Sequence, residues 1–259
     1  MSTSSHPPLF TRIYSVWYRH MRVYTKNIIS NGFPPFLEPL IFLAGVGLGL
    51  GKYIVSMDGV PYIQYLAVGL ITTSSMFTAA FECSYGTFIR LEYEKVYEGM
   101  LAAPITVNNL LIGEILWAGT KGFFFSLAVL IVILSFRVIP FSYTVFMPVV
   151  GFIIGIMFGT ISLLVTSFVK NINHLNFYFT GFLSPMFFFS GVVFPISNLP
   201  EVIRPFAEIF PMTHPVRLVR ALHTMSFEPV LILDLLYCAV ITVITGYFAI
   251  KRLGKRLTN

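Results

Sequence analysis

The sequence predicts an all-α integral membrane protein of six transmembrane helices, with an interfacial amphipathic helix before the first and short extracytoplasmic helices between the fifth and sixth. Three observations carry this. Only 11% of the 259 residues are charged and 56% are hydrophobic, against about a quarter charged in a soluble domain; the mean hydropathy is +0.81. The apolar residues collect in runs near the roughly 17 to 25 residues that cross a bilayer. Lysine and arginine gather at the two ends of the chain, where positive charge orients a membrane protein. The net charge of +6 is therefore no nucleic-acid signal, since no soluble stretch interleaves bases with aromatics. Cys83 and Cys238 lie far apart in or beside apolar runs and read as small apolar residues without a disulfide framework.

Residues 1–33 are basic and aromatic and lack the compact apolar core and cleavage site of a signal peptide, so nothing marks them for removal. Tyr14, Trp17, Tyr18, Met21 and Ile28 recur at helical spacing with Arg19, Arg22 and Lys26 turned away. This is an amphipathic helix suited to the membrane interface, serving as an anchor or as part of a gate.

The first span, 34–51, carries Gly45, Gly47, Gly49 and Gly51. A phosphate loop needs a glycine five residues before a Gly-Lys pair and Ser or Thr after it; here Gly51-Lys52 has Val46 before it and Tyr53 after it. No three of these glycines have GxGxxG spacing either. The pairs Gly45/Gly49 and Gly47/Gly51 fit close helix packing. Glu38 sits near the start of the span, as a pathway acid or as a snorkelling end residue. A polar turn at Asp58-Gly59 leads to the second span, 62–81, whose hydroxyls at Thr72, Thr73, Ser74, Ser75 and Thr78 either return to the helix backbone or form a mildly polar wall.

Residues 83–106 are the most charged interior stretch. Read as one helix over 87–101, Ile89, Tyr93, Tyr97 and Met100 fall on one side while Arg90, Glu94 and Glu98 stack on another. Such a helix lies on the lipid surface or offers its polar face to a soluble partner; a partner is the preferred reading. The third span, 109–135, holds Glu114 and Lys121, seven residues and so about ten Å apart on nearly the same face. That separation is too long for an assured direct pair, and a lysine so deep must face protein or a watery cavity. The fourth span, 145–169, has Gly151, Gly155 and Gly159 in a row, a groove for another helix. The fifth, 175–194, is crowded with aromatics that either pack and face lipid or stack on a substrate. Prolines cut 195–229 into pieces too short to cross. The sixth span, 230–250, is followed by a basic tail, 251–259.

With both ends inside, the inner segments hold Arg12, Arg19, Arg22, Lys26, Arg90, Lys95, Lys170 and the tail's Lys251, Arg252, Lys255 and Arg256. The outer segments hold only Lys52, Arg137, Arg204, Arg217 and Arg220. Both termini and the 83–106 stretch are therefore expected in the cytoplasm, and 195–229 outside.

The pattern resembles the permease subunits of ABC exporters of the ABC-2 type, most closely the nodulation-factor (lipo-oligosaccharide) export permeases, along nearly the whole chain. The most specific part is Leu199-Pro200, ten residues, then Pro211-Met212-Thr213-His214, five residues and Arg220. The run FFFSGVVFP from Phe187, and YEGMLAAPIT from Tyr97 leading into GEILWAGTK up to Lys121, are similar to those permeases as well.

The resemblance implies a transport subunit and no enzyme: two copies pair in the cytoplasmic membrane on two copies of a separate ATP-binding subunit, which holds the ATP and Mg while this chain holds no cofactor. It implies a single transmembrane domain over 34–250, in which 87–101, with Ile89, Arg90, Tyr93, Glu94, Tyr97, Glu98 and Met100, is the coupling helix docked on that subunit. Pro200, Pro211, His214 and Arg220 are its signature residues, and the substrate is amphipathic, a lipid-linked or lipo-oligosaccharide. A drug-like or lipid substrate fits the same scaffold. A gradient-driven transporter using Glu114 and Lys121 lacks the internal repeat such proteins show. An intramembrane enzyme using His174, His214 or His223 with Glu114 or Glu208 lacks HExxH and any other catalytic spacing.

Overall fold

The computed structural model of the protein describes residues 7–258, without the side chains of Pro34, Pro35, Glu38, Pro39, Leu48 and Thr258. α1 (Leu9–Lys26) and the short α2 (Ile28–Gly32) lead into α3 (Pro34–Phe42), which continues as a π-helical segment at Leu43–Leu48. β1 (Ser56–Met57) and β2 (Val60–Pro61) pair antiparallel. Their turn is Asp58-Gly59, at φ of +49° and +76°, the left-handed pair of positions that a tight hairpin demands and that Asp-Gly tolerates.

α4 (Tyr62–Phe81) runs on through π-helical segments at Glu82–Gly86 and Ile89–Tyr93, so one apolar helix reaches from Tyr62 to Tyr93. It stops where Lys95 turns left-handed at φ +53°, and α5 (Val96–Leu101) starts afresh. α6 (Val107–Ser135) opens on a reciprocal cap: Asn109 N donates to the Thr106 hydroxyl at 3.3 Å and Thr106 N donates to Asn109 Oδ1 at 3.1 Å. α7 (Met147–Phe168) follows a 3₁₀ turn. Then come α8 (Leu175–Tyr178), a π-helical turn at Phe179–Leu183, α9 (Ser184–Phe189), α10 (Arg204–Ile209), α11 (Thr213–Thr224) and α12 (Val230–Thr258).

Among the described residues, four helical stretches are long and apolar enough to cross a membrane: Tyr62–Tyr93, Val107–Ser135, Tyr143–Phe168 and Val230–Leu257. They match the second, third, fourth and sixth expected spans. Of the other two, 34–51 keeps its expected length to within one residue, while 175–194 stops short. The 34–51 run is helical to Leu50, and 175–194 ends its helix at Phe189, before Gly191 turns left-handed at φ +79°.

α7 lies at the centre, against α4, α6 and α12. The glycine row is the reason it can. A Cβ at Gly155 would lie 2.6 Å from the Ala118 carbonyl oxygen and 2.8 Å from Gly119 Cα, so α6 and α7 meet backbone to backbone. In lipid, where apolar burial gives no drive between helices, that close approach supplies the van der Waals attraction. The glycines of the first span do less: Gly47 meets Ile63 of α4 at 3.4 Å, but Gly45 and Gly49 meet nothing within 4 Å, so the packing expected of that pair is absent within the described residues.

The hydroxyls of α4 mostly return to the helix. Thr72 donates to the Gly69 carbonyl at 2.7 Å and Ser74 to that of Ile71 at 3.0 Å, while Ser75 crosses to the Gly122 carbonyl of α6 at 2.9 Å. α1 packs on α6. Val16 and His20 are buried, Val16 filling the space over Gly113 of α6, whereas Tyr14 and Tyr18 point outward. The helix is seated on α6 by Val16 and His20, and Trp17 of the aromatic face joins them by donating to the Thr120 hydroxyl at 2.9 Å.

Candidate functional site

Four ionisable side chains and one imidazole meet where α1, α4 with its π-helical extension, and α6 come together. Arg90 is the link. Its Nη1 donates to Glu82 Oε1 at 2.7 Å and its Nη2 to Glu114 Oε2 at 2.8 Å. Lys121 Nζ reaches the other Glu82 oxygen at 2.9 Å, and His20 Nε2 lies 2.8 Å from the other Glu114 oxygen. Glu114 and Lys121 are thus joined through Glu82 and Arg90 rather than directly. Two carboxylates and two fixed cations balance, and all four carboxylate oxygens are taken, the condition under which buried charge is tolerable.

His20, Glu82 and Glu114 bring metal-ligating atoms within 4.8 Å of one another. Arg90 and Lys121 already occupy those oxygens, and a divalent ion there would have to displace a guanidinium. The cluster is a charge clamp between helices.

Two π-helical turns create it. Each widens the helix by one residue and shifts the phase of the residues after it: the first re-aims Arg90, which bonds Glu114 of α6, and the second re-aims Glu94. The single helix expected over 87–101 is therefore corrected. Arg90 is mostly buried, Tyr97 is 1% exposed, and its hydroxyl lies 3.4 Å from Arg90 Nε, which donates to it. Burial pushes the Tyr97 phenol well above its ordinary 10, so it stays neutral. Glu94 and Glu98 are exposed, as is Tyr93 at 64%, and Ile89 and Met100 are half-buried. An elbow of Tyr93, Glu94, Lys95 and Glu98 is left at the surface, directly beyond the clamp. Glu38 lies on α3, and its side chain falls outside the described residues.

On its far side Lys121 borders a cavity of about 540 Å³. Phe42, Phe77, Phe125, Phe179 and Phe187 supply its apolar wall, and Thr73, Ser74 and Asn31 its polar one. Lys121 Nζ stands 5.4 Å from the Tyr24 ring centre and 5.7 Å from that of Phe125. The two readings of the α4 hydroxyls are therefore compatible: they bond to backbone and still face a cavity.

The signature residues gather at the other end, around α11. Arg220 donates to the carbonyls of Gly191 at 2.6 Å, Val192 at 3.2 Å and Tyr65 at 3.3 Å, with its guanidinium 3.4 Å over the Tyr65 ring. It ties the break after α9 to α4. His214 Nδ1 lies 2.7 Å from Asp234 of α12 and stacks on Tyr237 with ring centres 3.7 Å apart. Arg217 bridges Asp234 and Glu208, at 2.8 and 2.9 Å. Pro211 is buried and Pro200 exposed.

Sequence reasoning missed His20, the pairing role of Glu82, and Asp234. His20 follows Val16 by one turn, and Asp234 is the lone acid within an apolar run; each was a visible signal.

The protein is a helical bundle with four stretches long and apolar enough to cross a membrane among the described residues, a buried charge clamp, a cavity beside it and an exposed polar elbow. The model of the ABC-2 type transporter family matches residues 11–223, and the chain belongs to that family. Nodulation protein J of Sinorhizobium fredii is 32% identical over 207 residues, 80% of this chain and 79% of that protein. Nodulation protein J of Neorhizobium galegae is 28% identical over 259 residues, 100% and 99% of the two chains. The inner membrane transport permease YadH of Escherichia coli is 23% identical over 206 residues, 77% and 78%.

Proposed function

We propose that this permease is the membrane half of an ATP-driven exporter, two copies pairing on two copies of a separate ATP-binding subunit that carries ATP and Mg. The observation that supports it most is the elbow at 93–98. An exposed, charged turn held by its own buried arginine is a handle: a partner that moves the elbow moves Arg90, and with it the clamp joining α4 to α6. Shifting Arg90 between Glu82 and Glu114 would release Lys121 toward the cavity, a two-state change of the kind that switches access.

The handle is the exposed part, Tyr93, Glu94 and Glu98, with Ile89 and Met100 behind it; Arg90 and Tyr97 act from inside. Counting bases supports an inner-membrane protein with both termini in the cytoplasm, and the short helices at 34–50 and 175–189 would complete six passes beside the four long ones. The substrate is amphipathic, in keeping with an aromatic cavity that offers one cation, and the relatives named Nodulation protein J favour a lipo-oligosaccharide over a drug-like molecule or simple lipid.

The test is E94K/E98K. Both side chains are exposed, so stability should change by no more than about 0.5 kcal/mol, while co-purification of a P-loop ATPase and ATP-dependent export should fall at least tenfold. Unchanged association and export in this variant would reject the docking surface. Export that continues without ATP and collapses with the proton gradient would reject the exporter reading itself.

A further inference from the structure

A chamber of about 960 Å³ lies between the C-terminal ends of α7 and α12. Its rim is basic: Lys170 from the turn after α7, and Lys251, Arg252 and Lys255 from α12. Arg256 is already committed, donating to the carbonyls of Thr166 at 3.0 Å and Val169 at 2.8 Å, which caps the end of α7, and to Glu92 at 2.8 Å. Glu92 is the lone acid of the lining, so the other four cations have no carboxylate partner among the described residues. Like charges this close repel, and an anion between them removes the repulsion.

The chamber is not basic throughout. Leu164, Phe168 and Phe248 form its upper wall, one to two turns toward the centre of the spans, and the Arg252 guanidinium lies 3.8 Å from the Phe168 ring centre. Phe248, Lys251, Arg252 and Lys255 make one stripe on α12 at i, i+3, i+4 and i+7. α12 is also the most open of the four long helices, 17% buried over its most apolar stretch against 50 to 78% in the others, and Phe248, Lys251, Arg252 and Lys255 are all exposed, so this stripe faces outward. Aromatic walls toward the membrane interior and unpaired cations at its edge match a single ligand chemistry.

We infer that this chamber binds one anionic phospholipid, its phosphate among Lys170, Lys251, Arg252 and Lys255 and its acyl chains along Phe168 and Phe248. Basic pockets between helices at a membrane edge hold acidic headgroups in this way. The inference stands apart from the exporter reading, since it needs neither an ATPase nor a substrate.

The experiment is native mass spectrometry of the full chain released from detergent with added phosphatidylglycerol or phosphatidylcholine, repeated with K251Q/K255Q and with F168A/F248A. Both lysines are exposed and make no hydrogen bonds that the fold needs. Phosphatidylglycerol should be retained over phosphatidylcholine, and K251Q/K255Q should weaken it about 25-fold, at roughly fivefold per lysine. F168A/F248A should weaken the lipid but not soluble glycerol phosphate. Equal retention of the two lipids overturns the inference, leaving the bases to a protein surface. Displacement of the lipid by equimolar inorganic phosphate overturns it too, leaving a phosphate site without a lipid.

Discussion

Two buried arginines hold the two ends of this molecule, and they do so with opposite chemistry. Arg90 sits between carboxylates, Glu82 and Glu114. Arg220 meets no carboxylate among its bonded partners: it meets three carbonyls and the face of Tyr65. Burial pushes the Arg220 guanidinium down to about 10, with Tyr65 and Asp58 opposing that shift. Carbonyls fixed by the backbone offer one geometry, so Arg220 is a rivet. Arg90 ties two carboxylates at once, one from the α4 extension and one from α6, and in the proposed exporter it is the latch that the elbow works. The end with the latch carries the elbow, and the end with the rivet carries His214 and Arg217 on Asp234 of α12.

The sharpest way to break this comparison is to remove the latch. R90A leaves Glu82 and Glu114 buried with too little positive charge, at a cost of about 3 to 5 kcal/mol, read as a lost or much lowered thermal transition in detergent. R90M/E114M removes a charge of each sign and leaves Lys121 on Glu82, so it should be recovered by about 1 to 3 kcal/mol relative to the sum of the single changes. Additive losses would show that Arg90 and Glu114 do not act as a unit.

The rivet predicts a smaller loss with a different pattern. R220Q unties the carbonyls of Val192 and Tyr65 and should cost about 1 to 3 kcal/mol; the Gly191 carbonyl keeps the Tyr65 hydroxyl at 2.9 Å. R220K should recover little, because an ammonium lacks the planar fork that spans three carbonyls while stacking on a ring. In the latch, by contrast, R90K keeps the charge and should recover most of the stability while impairing transport. Equal rescue by lysine at both positions, measured by thermal unfolding, would erase the distinction.

How much of this was legible in the sequence differs between the ends. Composition and apolar run lengths revealed a membrane bundle, and the spacing of Gly151, Gly155 and Gly159 marked the α6–α7 seam, because both depend on local pattern. Leu199-Pro200 through Arg220 pointed to the ABC-2 family. The latch was not legible as a unit. A uniform helical period puts Arg90 beside Glu94 and Glu98, and two π-helical turns and the left-handed Lys95 change that phase. Its partners also come from three helices, with His20 lying 94 residues from Glu114, a distance that no periodicity spans. The 175–194 run reads as one full span because hydropathy does not register a left-handed glycine at 191.

The smallest expected effect lies beside the rivet. His223, one turn after Arg220, has an Nδ1 buried with no hydrogen-bond partner among the described residues, and burial together with the Arg220 charge holds its pKa below the ordinary 6.5. Folded protein therefore binds fewer protons than unfolded chain between that lowered value and 6.5. By linkage, stability falls as pH drops through this window and is flat above it. The slope should be less than one proton, since His223 is only half-buried, and it should vanish in H223Q. It should also shrink in R220Q, where one of the two causes has been removed. The latch end should show no such dependence on R220Q, so a pH series of unfolding on wild type, H223Q and R220Q separates the two ends. A slope that survives H223Q unchanged would place the titrating group elsewhere.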